Sequence, residues 1–176
     1  MATTTGGILN LVTNTLSGAI LVNTGTGTLQ TQNTSATPVP ANKTWISIVE
    51  FNGGTQSVPA ATFTGGLTVS ASGTKTAAGN ITADGPLVLS AGVLSIASNT
   101  LTINSSLSGI NNLMGSATSN LIIGGTDALS LGFNQTNSSS RTLQNYTQSR
   151  NATVTLTNAL EVTGLVNLSG TTSILA

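Results

Sequence analysis

The stretch LTVSASGTKTAAGNITADGPLVLSAGVLSIASNTLTI, from Leu67 to Ile103, decides the fold of this chain. Short units with one or two apolar residues alternate in it with Gly, Ser, Asn and Ala. Strands this short are not stable alone, and Gly, Ser and Asn favour tight turns. The pattern therefore predicts short strands that stack on one another. The apolar units are Leu67/Val69, Ile81, Leu87/Leu89, Leu94/Ile96 and Leu101/Ile103.

The spacing of the units gives the period of the stack. One series of three steps runs from Ile81 through Leu87 and Leu94 to Leu101. A second series of three steps runs from Val154 through Leu160 and Val166 to Ile174, and it has the same total length. Three strands and three corners per coil of about 20 residues predict an all-β parallel β-helix, or β-solenoid. A tandem β-sandwich is the second choice, although its strands would recur every 8–12 residues or so.

Composition narrows the classes of function. Only 5% of the 176 residues are charged and the formal net charge is zero, which argues against binding to nucleic-acid phosphates. The chain has no His and no Cys, so it lacks imidazole bases, disulfides and thiolate metal sites. No apolar run is long enough to span a membrane. Met1 to Thr5 lack the basic start and the apolar segment of a signal peptide.

We expect a single β-solenoid domain over residues 1–176. The prolines of TPVPAN (37–42) cannot donate ladder hydrogen bonds, which predicts a loop or edge excursion at 37–44. The Ser- and Asn-rich segment 134–141 is a second candidate loop. Two diverged copies are predicted at about 51–90 and 133–169, in which Phe63 and Tyr146 occupy equivalent positions.

One strand is expected from Trp45 to Phe51. If Ile46 and Ile48 point inward in it, strict alternation would also point Glu50 inward. A break in register, or a contact between Glu50 and Lys43 at the rim, is the preferred interpretation.

Four segments carry a resemblance to a known family. They are TLQTQNTSATPVPANKTW (Thr28 to Trp45), VEFNGGTQSVPA (Val49 to Ala60), SLSGINNL (Ser106 to Leu113) and GSATSNLIIGGT (Gly115 to Thr126). These phrases resemble the β-strand repeat regions of very large Bacteroidota cell-surface proteins, and the resemblance covers nearly the whole chain. It implies export, surface display and adhesion or gliding-type roles, and it transfers no catalytic residues. Because the chain lacks that family's signal peptide and C-terminal sorting domain, we expect an excised or mature segment.

The carboxylates do not suggest a reaction centre. Glu50, Asp84, Asp127 and Glu161 are each separated in the sequence by more than one coil, so no pair is expected on adjacent coils. Asp84 and Asp127 fit ordinary turns better than calcium loops, which need several clustered oxygen ligands. We therefore predict a protein that is not an enzyme and that has no cofactor.

The apolar segments near both termini carry no charged residues. A solenoid normally needs polar capping coils, and a bare strand edge tends to pair with another strand. Trp45 is a candidate surface contact, with a packing role over a coil as the preferred alternative. The candidate assembly ends are Ile8, Leu9, Leu11, Val12, Ile174 and Leu175.

These features predict a structural repeat module of an extracellular surface fibre or adhesin, which joins flanking repeats or other copies head to tail. A glycan- or surface-binding module is the alternative, with a cell-surface glycan or protein as partner. Ice binding is a weaker variant of it. An ice-binding face needs Thr-x-Thr units stacked one coil apart, and adding 20 to Thr74 and Thr76 gives Leu94 and Ile96.

Overall fold

The computed structural model describes residues 6–18, 24–109, 112–170 and 174–175. Short β-strands make up most of the regular structure in these residues, and they pair in parallel. About eight coils of roughly 20 residues stack into a β-solenoid, which confirms the predicted fold class. Ala19 to Val22, which the sequence pattern also suggests as a strand, lie outside the described residues.

The chain contributes its strands to the solenoid in a repeating order. In sequence they are β1 (Ile8–Asn10), β2 (Thr28–Thr31), β3 (Lys43–Trp45), β4 (Ile48–Phe51), β5 (Gln56–Val58), β6 (Ala61–Phe63), β7 (Leu67–Val69), β8 (Thr74–Ala77), β9 (Ile81–Ala83), β10 (Leu87–Leu89), β11 (Val93–Ser95), β12 (Thr100–Ile103), β13 (Leu107–Ser108), β14 (Leu113–Met114), β15 (Asn120–Ile123), β16 (Leu129–Leu131), β17 (Thr142–Leu143), β18 (Asn145–Gln148), β19 (Thr153–Leu156), β20 (Glu161–Val162), β21 (Val166–Leu168) and β22 (Ile174–Leu175).

Three parallel sheets form the sides of the central coils. Sheet I has the order β1-β2-β4-β7-β10-β13, sheet II β5-β8-β11-β14, and sheet III β3-β6-β9-β12-β15-β18-β21. In the later coils β16, β19 and β22 form a further sheet, and β17 pairs with β20. Because β16 lies beside β13, the sheet of β16, β19 and β22 continues the side that sheet I begins.

Residues one coil apart pair directly. Leu67 pairs with Leu87, which pairs with Leu107, so the register in these coils repeats at the predicted period. In β7 and β10 the first and third residues are buried and the middle residue faces outward, as the two-residue period of a strand requires. Stacking these strands places the buried residues in inward rows that form one continuous apolar core.

Glycines allow successive coils to approach closely at the corner between sheets III and I. A Cβ atom at Gly65 would collide with the carbonyl oxygen of Ile46, and one at Gly85 with the carbonyl oxygen of Thr64. Gly66 has a φ of 127°, a conformation that side chains other than that of glycine rarely adopt. The small corner residues are therefore needed for strand pairing on either side of them.

The single strand expected from Trp45 to Phe51 is wrong. A corner at Ile46 and Ser47 divides it into β3 and β4, and Ile46 is exposed. Val49 and Phe51 point inward, so Glu50 faces outward. The expected break in register is present, and it keeps the carboxylate out of the apolar core.

The predicted excursion at 37–44 is shorter in the structure. Residues 37–42 form a loop, whereas Lys43 and Thr44 belong to β3. The second predicted loop, 134–141, does interrupt the strands and contains a 3-10 helix at Ser139–Arg141. It lengthens its coil, because Asn120 pairs with Asn145, 25 residues later.

The two diverged copies at about 51–90 and 133–169 stay a prediction about the sequence. In the strand pairing of sheet III, the aromatic residues of the two copies do not pair in the same row but lie two positions apart. Phe63 shares an inward row with Ala83 and Gln148, whereas Tyr146 lies in the row of Ile81. Both aromatic side chains are fully buried.

Candidate functional site

The predicted N-terminal assembly end is only partly exposed. Ile8, Leu9 and Val12 are exposed, and Leu9 keeps 57% of its surface accessible although it lies in the inward row that continues with Leu29. Leu11 is half-buried and packs against the core. We therefore retain three of the four candidate residues as an exposed apolar edge.

An apolar cavity of about 490 Å³ opens beside this edge. Leu9, Leu16, Leu29 and Trp45 contribute to its wall. Trp45 is only 1% exposed, so it is not a surface contact, and its burial fits the packing role that was the preferred alternative. Its indole Nε1–H is buried without a hydrogen-bond partner among the described residues.

Irregular segments close the sheet II side of this end. The side-chain amide of Asn33 donates hydrogen bonds to the Thr13 carbonyl oxygen (2.6 Å) and to the Thr15 hydroxyl (3.0 Å). The Leu16 N–H donates to the Pro38 carbonyl oxygen at 3.3 Å, and Val39 is fully buried. The loop that follows β2 therefore folds over the core together with residues 11–18.

The C-terminal end leaves its inward rows uncovered. Val166 and Leu168 of β21 are 49% and 47% exposed, although their positions pair with those of the buried Tyr146 and Gln148. Leu165 is exposed as well. Of the candidate residues Ile174 and Leu175, the structure describes the backbone only, in β22 paired with β19. Sequence analysis missed the exposed residues of β21.

Two of the four basic side chains are buried, which the sequence analysis also missed. The Lys75 Nζ donates hydrogen bonds to the carbonyl oxygens of Gly53 (2.7 Å), Ala71 (2.6 Å) and Ser72 (3.0 Å). Burial lowers the pKa of the Lys75 ammonium group. Because the carbonyl oxygens come from adjacent coils, we interpret Lys75 as a group that fastens two corners together.

The second buried cation fastens later corners. Arg150 donates from Nη2 to the Ser105 carbonyl oxygen at 2.7 Å, and from Nη1 to the Asp127 carbonyl oxygen. Burial lowers the pKa of Arg150, while the Asp127 carboxylate opposes that change. Burial also raises the pKa of Tyr146 to about 12, although Arg150 acts in the opposite direction. The Tyr146 hydroxyl donates to the Gln148 Oε1 at 2.9 Å.

The carboxylates that were considered as catalytic groups make structural contacts. Glu50 accepts hydrogen bonds from the Gln30 side-chain amide (2.7 Å) and from the Ser70 hydroxyl, one on each neighbouring coil. The Asp84 carboxylate accepts from the Asn104 amide at 2.7 Å. Within the part of the chain that the structure describes, no group of three or more acidic residues could hold a metal ion. The absence of enzymatic activity stays a prediction.

Sheet III carries an outward row of threonines that stack one coil apart. Ile122 interrupts the row between its fourth and fifth members. We call these residues the threonine row: Thr44, Thr62, Thr82, Thr102 and Thr147.

The Thr-x-Thr unit that was considered for an ice-binding row lies on a different side of the solenoid. Thr74 and Thr76 lie on sheet II, where the coil is one residue shorter than the predicted period, and they pair with Val93 and Ser95. Neither of them pairs with a threonine among the described residues. Thr62, Thr82 and Thr102 follow one another at the predicted period, whereas Thr44 and Thr147 join the row only through the pairing register.

No protein-family model matches the chain, and no curated protein or solved structure matches it. Within the described residues, no helix is long and apolar enough to cross a membrane.

Proposed function

We propose that this chain is a structural repeat module whose coils join end to end into an extracellular rod or fibre. The observation that supports it best is the exposure of inward-row residues at both ends, namely Leu9 in sheet I and Val166 and Leu168 in sheet III. Covering exposed apolar surface of this kind with another coil lowers the free energy, because the surface is removed from water. A second copy of the chain is the occupant that we propose.

The two ends are complementary in backbone geometry. Among the described residues, β1 has a strand partner on one edge only, and β22 is the last strand on the same side of the solenoid. Because the strands are parallel, β22 of one copy can pair side by side with the free edge of β1 of the next copy, with both strands running in the same direction. Contacts of this head-to-tail type do not close on themselves and so build open filaments.

Both ends present apolar side chains. The C-terminal end presents Leu165, Val166 and Leu168, and the N-terminal end presents the apolar cavity beside Leu9 and Trp45. Insertion of a leucine side chain into this cavity would bury apolar surface on both partners. Each fully buried leucine or valine contributes roughly 1.5–3 kcal/mol.

The extracellular setting of the proposal rests on the resemblance to Bacteroidota surface repeats. In that setting the module would build a stalk or fibre, and adhesion would follow from what the fibre presents. A glycan-binding role is less well supported, because sugar-binding sites commonly stack aromatic rings on the sugar. All five aromatic residues of the chain are buried here: Trp45, Phe51, Phe63, Phe133 and Tyr146.

Sedimentation velocity over a concentration series, combined with negative-stain electron microscopy, tests the assembly. We expect the native chain to form rods that lengthen with concentration. The double variant Val166→Lys/Leu168→Lys should remain monomeric, because two cations would be buried without partners in the joint. The matched control is Asn167→Lys, which lies between them on the outward face of β21 and should assemble like the native chain.

Separate monomeric rods at every concentration would contradict self-assembly. Assembly of the double variant to the same length as the native chain would show that the joint lies elsewhere. Circular dichroism of all variants, with the emission of the single Trp45, establishes that each one is folded.

A further inference from the structure

The hydroxyl groups of the threonine row make no hydrogen bonds to the other described residues. No side-chain hydrogen bond is made by any of the five threonines, among the residues that the structure describes. Elsewhere, threonine hydroxyls bond to the backbone, as Thr142 does to the Ser138 carbonyl oxygen at 2.7 Å. Each hydroxyl of the row therefore offers one donor and two acceptor positions outward.

A second outward row, beside the threonine row, is held in place by hydrogen bonds along the solenoid axis. The Asn80 Oδ1 accepts from the Thr100 N–H at 2.9 Å. The Asn145 Nδ2 donates to the Asn120 Oδ1 at 2.7 Å, and the Asn145 Oδ1 accepts from the Leu165 N–H at 2.9 Å. The face is thus ordered before any ligand binds, which reduces the entropy lost on binding.

The spacing of the two rows is that of a regular two-dimensional array. Neighbouring strands lie roughly 4.8 Å apart, and residues two positions apart along a strand lie roughly 6.6 Å apart. Water oxygens on the prism faces of hexagonal ice repeat at comparable distances in both directions. A rigid array of hydroxyl and methyl groups at this spacing can order water into the same lattice.

The chemistry of the face favours ice as its ligand over a crystalline polysaccharide. Among the described residues, the threonine row and the row beside it contain no charged residue, and the exposed Asp84 carboxylate at the end of β9 accepts a hydrogen bond from the Asn104 amide. No aromatic ring is exposed to stack on a sugar, since all five are buried. The two rows therefore present mainly hydroxyl, amide and aliphatic groups.

From these observations we propose that the outer face of sheet III binds the surface of ice crystals through the threonine row. The contact region runs from Thr44 to Thr102 and resumes at Thr147. This inference concerns a side of the solenoid and does not depend on the end-to-end assembly proposed above. A rod of joined modules would present more copies of the face to one crystal and so bind it more firmly.

Thermal hysteresis and ice-crystal shape, measured on the full chain, test the proposal. The native chain should depress the freezing point below the melting point and shape the crystals into facets. Thr82→Tyr places a large ring in the middle of the row and should remove most of the hysteresis. The matched control is Thr68→Tyr, which changes an outward threonine of sheet I, paired with Glu50, and should keep the native value.

Each result has a definite meaning once circular dichroism shows that both variants are folded. A native chain without hysteresis or crystal shaping overturns the proposal. Equal hysteresis in Thr82→Tyr and Thr68→Tyr overturns it too, because the face would then not matter. If the native chain sediments with crystalline chitin or cellulose and has no effect on ice, the ligand of this face is a crystalline polysaccharide and not ice. Variants Val166→Lys/Leu168→Lys that block assembly should retain hysteresis, which separates this proposal from the previous one.

Discussion

One inward row of sheet III begins at a covered strand near the N-terminal end and finishes at an uncovered strand near the C-terminal end. Trp45, at its start, is 1% exposed, whereas Leu168, at its finish, is 47% exposed. Both residues occupy the third position of a three-residue strand and point inward. Their different burial teaches that the neighbouring coil, and not the strand itself, covers an inward row.

Irregular segments lie beside the covered start of this row. Leu11 and Leu16 pack against the core, and Val39 from the loop after β2 is fully buried. At the other end, β21 is the last strand of sheet III among the described residues. The end of a solenoid therefore exposes its apolar inward rows, unless a non-repetitive segment covers them.

A matched pair of valine truncations should give the largest difference between the two ends. Val39→Ala removes two buried methyl groups and should lower the free energy of unfolding by about 2–3 kcal/mol. Val166→Ala, at a half-exposed position, should lower it by less than about 1 kcal/mol. Urea unfolding of the dilute monomer, followed by circular dichroism, measures both. Equal losses would contradict the open C-terminal end.

The single tyrosine gives a pH-dependent test of the C-terminal coils. Its pKa is about 12 when folded and near 10.0 when unfolded, so the folded state holds the proton more tightly. The resulting stabilisation is complete below pH 10 and is lost as the pH rises from 10 to 12. We expect a loss on the order of 1–2 kcal/mol, after allowance for screening by solvent.

Absorbance titration of Tyr146, with unfolding curves across the same pH range, checks this prediction. Tyr146→Phe should lack the loss, and the difference between the two proteins cancels the contribution of Lys75. Because burial lowers the Lys75 pKa, Lys75 acts in the opposite direction and adds stability as the pH rises toward 10.5. A tyrosine that titrates near 10 in the folded protein would mean that the C-terminal coils are open to water.

The smallest effect is expected at the N-terminal edge. Val12 has a φ of 52°, a left-handed conformation that costs a branched residue about 1–2 kcal/mol. Val12→Gly should relieve that strain. Because glycine also loses more backbone entropy on folding, the net rise in the free energy of unfolding should not exceed about 1 kcal/mol. Thermal unfolding measures the gain. Leu9→Gly, in an extended strand nearby, is the control and should not stabilise.

The sequence predicted the architecture well because the repeat period can be measured directly from the spacing of apolar residues along the chain. The step from Ile81 to Leu101 is also the pairing register of β9 and β12. Short apolar units separated by turn residues have few other ways to bury their side chains. The prolines of segment 37–42 likewise predicted an interruption, since proline cannot donate a ladder hydrogen bond.

Details that depend on coil length could not be predicted from a single period. The pairing of Lys43 with Ala61 and of Thr74 with Val93 needs coils shorter than the predicted period, and that of Asn120 with Asn145 needs a longer one. A shift of one residue turns a side chain from the core to the surface. Coil length therefore explains why Thr74 and Thr76 pair with Val93 and Ser95, whereas the inward orientation considered for Glu50 was wrong because of the corner at Ile46 and Ser47.

The sequence by itself thus determined that the chain is a parallel β-solenoid and set the period of its coils, because period and turn chemistry are local properties. Tertiary structure alone decided which residues meet across coils. It buried Trp45, Lys75 and Arg150, left β21 uncovered and added Thr44 and Thr147 to the threonine row. These outcomes depend on corner lengths and on the coil that lies next to each strand, which no local pattern encodes.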